Sequence, residues 1–175
     1  GSDGIHIWDQ GDMWLGPITE FNWTLLGKRE MYVPYNAYQL HSGATAVDDI
    51  VQPKHINQDL ARYELHRVWV VEATRREGSS HRYQRRRYYL DEDSWRVMFA
   101  EHYDEQGEVH RFSEAHHINY YDAKVFYTTL DTYYKLDTER YYLRHVDNDY
   151  SPFDFSFDQN ASYYIPGRLK MKAKR

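Results

Sequence analysis

Ten histidines, an arginine triplet and 27 acidic residues set the chemistry open to this chain of 175 residues. Histidines raise a metal site first. His116 and His117 are adjacent, so on a strand they point to opposite faces and cannot share an ion. The register that the turns predict sets His102 opposite His110, with Glu114 and His116 together on one face. A catalytic metal normally takes three protein ligands, and no H-E-x-x-H or comparable spacing supplies them. No metal is expected. Paired carboxylates run glycoside hydrolysis, and Glu64, Glu101 and Glu114 fall on predicted strands, but no pair stands out. There is no nucleophile elbow, phosphate loop or dinucleotide fingerprint. With no cysteine, thiol nucleophiles, disulfides and zinc-thiolate sites are excluded. The sequence thus predicts no catalytic residue and no cofactor, and a hydrolase is the third choice among functions.

Arg85-Arg86-Arg87 is not one cluster, because on a strand Arg86 faces one way and its neighbours the other. It reads either as an anion or lipid-headgroup contact or as cross-strand pairing with acids such as Glu72. The net charge of −5 lacks the basic surplus of a nucleic-acid binder, so no nucleic-acid partner is expected. Five basic residues and no acid fill 168–175. This reads as a solvated basic tail, or as a contact for phosphate or anionic lipid.

These residues must be positioned by strands. Eighteen Tyr and five Trp bring aromatics to 17%, and such side chains suit a half-buried pleated surface with one wet end. The fold class expected is mainly β, a curved antiparallel meander with few short helices. Predicted strands cover 21–27, 62–76, 81–90, 95–104, 108–119, 125–134 and 139–146. Glu77 to Ser80, Asp91 to Ser94 and Glu105-Gln106-Gly107 form turns, the last with Gly at a left-handed position. One domain spans 1–175. Residues 1–2 resemble a cloning scar, 1–60 are irregular with one or two strands, 62–146 form the meander, and 147–175 are an irregular basic end. No run of apolar residues is long enough for a membrane-spanning helix.

The turns also set a trial register. It pairs Trp69 with Tyr88, Glu72 with Arg85, Tyr88 with Val97, Glu101 with Arg111, Tyr103 with Val109 and Val97 with Ala115. One face then gathers Trp69, Val71, Tyr88, Leu90, Trp95, Val97, Phe99 and Tyr103. The other is mixed, with Val68, Val70, Arg85, Arg87, Tyr89 and Met98. An apolar sheet face must be covered, and too little helix is visible to do so. A ligand, a further segment or a partner is therefore expected on it.

Several stretches carry a family resemblance: Gly27 to Asn36, NQDLARYELHRVWVVEA from Asn57 to Ala73, RYYLDEDSW from Arg87 to Trp95, and Ser113 to His116 ahead of Ile118 to Asp122. Together they resemble the C-terminal part of bacterial domain-of-unknown-function family 1329, often labelled outer-membrane lipoprotein-sorting proteins. The resemblance implies a half-barrel similar to the LolA and LolB carriers, capped by helices. It implies the periplasm or outer membrane of a Gram-negative bacterium, and an outer-membrane protein or transporter as partner. It carries over no catalytic residue.

The leading expectation is a carrier for lipids, lipoproteins or other apolar ligands that performs no chemistry. Trp69, Tyr88, Trp95, Val97 and Phe99 would bind, with Arg86 as a polar handle. Trp95→Asp should abolish ligand uptake and leave the sheet intact. The rival is an interaction module that pairs through an open sheet edge.

Overall fold

The structure, a computed structural model, describes residues 2–151 and 153–172. Gly1 of the scar-like dipeptide and residues 173–175 of the basic C-terminus lie outside them. Seven strands run in sequence order across one antiparallel sheet: β1 (Phe21–Pro34), β2 (Tyr63–Arg75), β3 (Arg85–Asp91), β4 (Val97–Tyr103), β5 (Val109–Tyr120), β6 (Val125–Lys135) and β7 (Arg140–Arg144). The meander is as expected, and β1 and β7 remain as edges, so the sheet is not closed. Among the described residues helix is confined to short pieces, α1 (Tyr38–His41), α2 (Val47–Ile50) and α3 (Pro166–Lys172), with 3-10 turns at Trp8–Met13, Ile18–Glu20 and Ala161–Tyr164. No helix among the described residues is long and apolar enough to cross a membrane.

The first strand is twice as long as expected. It pairs with β2 from Phe21↔Arg75 to Pro34↔Tyr63, and Pro34 sits at its very end, where a missing N–H costs little. In contrast, β3 starts at Arg85 and β4 at Val97. Trp95 adopts a left-handed φ of 58° in the turn between them, so it belongs to no strand.

The trial register is corrected in two ways. In the first hairpin Val71, not Trp69, faces Tyr88, and Glu72 faces Arg87. That slip is two residues, which leaves every side chain on its expected face. At β3–β4 the correction changes faces. Tyr89 pairs with Phe99 and Leu90 with Val97, so Met98 is an extra residue, a β-bulge that reverses the alternation beyond it. Phe99 therefore lies behind the sheet from Val97, in a cluster with Val33, Val68, Val70, Tyr89 and Met98. A second bulge makes His102 face Arg111 and Glu101 face Phe112 while Tyr103↔Val109 is retained. His102 and His110 are consequently not partners.

Much of each face is covered by the chain's own irregular segments, which corrects the expectation that the chain has too little of its own to cover the apolar face. Behind the sheet, Ala37, Leu40, Ile50 and Ile56 of the β1–β2 connection pack on Leu130, Tyr141 and Leu143. In front, Ile5 and Met13 pack on Ala115 and Tyr133.

Candidate functional site

The front face is divided. Over β3 to β6 the N-terminal segment is tied down by a buried ionic network. Arg86 is fully buried, and its guanidinium donates to Asp9 Oδ2 at 2.6 Å and, through Nε, to His102 Nδ1 at 3.1 Å. Asp9 also meets His81 Nε2 at 2.7 Å. Burial alone would raise the Asp9 carboxyl, but the bonds from His81 and Arg86 hold it below its ordinary value. Burial, then the charges of Arg86 and Arg111, drive His102 well below its ordinary value. His102 is thus a neutral acceptor for Arg86, with its other nitrogen 3.0 Å from Gln10 Nε2. Arg111 donates to the carbonyls of Gly4 and Ile5, and Tyr133 Oη donates to the Gln10 carbonyl at 3.0 Å. Arg86 therefore faces opposite its two neighbours, as the strand alternation requires. It is spent inside the protein. Arg87 bonds Glu72 at 2.8 Å on the other face, the cross-strand pairing foreseen for this run.

Over β1 to β4 the same face opens into a cleft of about 380 Å³, lined by Trp14, Ile18, Trp23, Val71, Tyr88, Leu90 and Val97. Register explains the wall. Trp23 faces Ala73 and Leu25 faces Val71 on the neighbouring strand, while Val71 faces Tyr88 and Leu90 faces Val97. Trp14 meets Trp23 edge-on at 5.3 Å, and Trp23 stacks on Tyr88 at 6.0 Å. Trp23 Nε1 donates to the Ile18 carbonyl at 2.9 Å, which fixes the entrance. Burial pushes the Tyr88 phenol up from its ordinary value, so it stays neutral. The volume falls within the roughly 300–1,000 Å³ usual for small-molecule sites.

Of the six residues expected to bind, Tyr88 and Val97 line this cleft. Trp69 is on the same face beside it, under Lys28 Nζ at 4.1 Å and stacked on Trp95 at 6.5 Å. Trp95 is 66% exposed in the β3–β4 turn. Phe99 is behind the sheet and Arg86 is locked to Asp9, so these two do not reach the cleft. Trp14, Ile18 and Trp23 were missed. The alternation of Phe21, Trp23 and Leu25 was the available signal for the last of them.

A wider depression of about 590 Å³ lies near the other edge, among His41, Thr128, His145, Asp147 and Phe153. It holds two histidine–aspartate pairs, His41–Asp147 and His145–Asp131, each 2.9 Å apart. The bond to buried Asp131 raises the His145 pKa. No serine or threonine is hydrogen-bonded to His145 among the described residues. The candidate carboxylates are engaged as well: Glu64 with Asn36, Glu101 with Tyr103 and Glu114 with Tyr63.

The family described as "Protein of unknown function (DUF1329)" matches residues 1–170. Uncharacterized protein PA3922 of Pseudomonas aeruginosa is 40% identical over 175 residues, 99% of this chain, and the chain spans 38% of that relative's length. Among solved structures, a domain assigned provisionally to outer membrane lipoprotein sorting from Vibrio parahaemolyticus matches 77% of this chain and 46% of its own, at 15% identity and a TM-score of 0.45. A DUF1329 family protein from Desulfovibrio piger matches 97% of this chain and 57% of its own, at 12% identity and a TM-score of 0.46.

Proposed function

The chain belongs to the DUF1329 family, and on that premise we propose that it binds an apolar molecule, a lipid or the acyl part of a lipoprotein, as a carrier in the periplasm or at the outer membrane. The reading is of binding without chemistry. The observation that carries it is the cleft between Trp14, Trp23 and Tyr88, whose seven lining residues are all aliphatic or aromatic. A fully apolar wall open to water is stabilised when hydrocarbon replaces that water, at roughly 25 cal/mol per Å² covered. No charged residue lines it, and Arg86, whose guanidinium carbon is 5.8 Å from the Tyr88 ring, is already paired with Asp9.

Organic extraction of the purified protein followed by mass spectrometry tests this. One bound hydrophobic species per chain is the expected result. Clean protein that also takes up no added lipid would overturn it. A second reading has its own observation. The outer strand β1 is 14 residues long and presents Leu25 at 60% and Leu26 at 47% exposure. Long exposed edges pair with other chains, and concentration-dependent association in sedimentation, without lipid, would favour that role.

A further inference from the structure

The geometry points to a divalent transition-metal site at the β3–β4 turn, on the side of the sheet away from the cleft. Its ligands are His66, Asp91 and Asp93. One donor atom from each lies within 4.8 Å of the other two. His66 Nδ1 is 2.8 Å from Asp91 Oδ1 and 4.0 Å from Asp93 Oδ2. Metal–ligand bonds of about 2.1 Å put neighbouring donors roughly 3–3.5 Å apart, so small side-chain shifts close the triad on an ion.

The surroundings are those of a built site. Ligating carboxylates and imidazoles are normally oriented by partners behind them. The second oxygen of Asp91 accepts from Ser94 N at 2.8 Å and Ser94 Oγ at 2.6 Å. The His66 ring stacks on Tyr35 at 4.1 Å. Its Nε2 faces Glu64 Oε2 at 3.8 Å, and Glu64 is itself held by Asn36 at 2.7 Å.

Charge gives an independent argument. The Asp91 side chain is fully buried, and His66 is its only ion-pair partner among the described residues. Buried charges are paired or coordinate metals. Glu92, between the two aspartates, takes up Lys28 and Arg67, and among the described residues no lysine or arginine pairs with Asp91 or Asp93. One imidazole with two carboxylates suits Zn²⁺ or a similar first-row ion better than Mg²⁺, which prefers oxygen alone. No local spacing announces the site, because His66 lies 25 residues before Asp91 and reaches it only where β2 runs beside the end of β3.

The test is calorimetric titration of tag-free, chelator-dialysed protein with zinc chloride, repeated with magnesium chloride. It is run on the wild type, Asp93→Asn and His66→Gln. Asp93 is exposed in a turn, so its variant retains the fold, and circular dichroism checks both. The expected result is one zinc site per chain in the wild type, weakened about tenfold or more in each variant, with no magnesium binding. Absence of saturable zinc binding would overturn the proposal. So would zinc binding unchanged in both variants, which would assign it to other histidines, or magnesium binding as tight as zinc.

Discussion

Two halves of one sheet face differ in how they are covered. Over β3 to β6 the N-terminal segment is pinned by Asp9, Gln10 and the carbonyls of Gly4 and Ile5. Over β1 to β4 the same segment contributes only Trp14 and Ile18 and leaves an open, apolar cleft. The difference lies in the anchors. Arg86, His102 and Arg111 are polar groups on the sheet that can only be buried with partners, and the segment supplies those partners. Val71, Leu90 and Val97 make no such demand, so nothing in the chain is required to sit on them. A shared hydrophobic alternation becomes a plug where the sheet is charged and a pocket where it is not.

The largest expected effect comes from breaking the anchored half. Asp9→Asn leaves a buried guanidinium without its counter-charge and should cost about 3–5 kcal/mol in urea unfolding. Replacing both partners, Asp9→Leu with Arg86→Met, should recover most of that loss. If the single and double variants are equally destabilised, the pair is not what holds the segment.

The next effect is on pH. Burial, then Arg96 and His116, lower His117 to about 3. The unfolded chain takes up that proton near 6.5, while the folded chain does not. The unfolded state therefore binds more protons between about pH 6.5 and 3. Stability is full above that window and falls as pH drops through it, by about 1.4 kcal/mol per unit from this residue. His117→Gln should flatten the slope of stability against pH by that amount, and an unchanged slope would place the proton elsewhere. The smallest effect separates the cleft from its rim. Trp95→Ala removes an exposed ring and should move stability by less than about 0.5 kcal/mol.

Much of this was legible in the sequence. Turn residues and β-branched and aromatic runs signalled the six strands between 62 and 146 in order, with only the first half of β1 and not its pairing to β2, and the slip in the first hairpin was harmless because it spanned two residues. What could not be read were the bulges. Nothing in Val97-Met98-Phe99 announces that Met98 is extra, so Phe99 was expected beside Val97 and lies behind it. The Asp9–Arg86 bond joins residues 77 positions apart, and no local pattern signals it. For the site, alternation found Tyr88 and Val97 but could not find Trp14, which reaches the cleft from an irregular segment.

The central claim is tested most directly by titrating the protein with N-phenyl-1-naphthylamine, an uncharged apolar probe excited by energy transfer from Trp14 and Trp23. Wild type and Trp95→Ala should bind one probe per chain. Val71→Asp, which sets a carboxylate in the wall, should lose binding while its circular dichroism is unchanged. Equal binding by a folded Val71→Asp variant, or none by the wild type, would contradict the account.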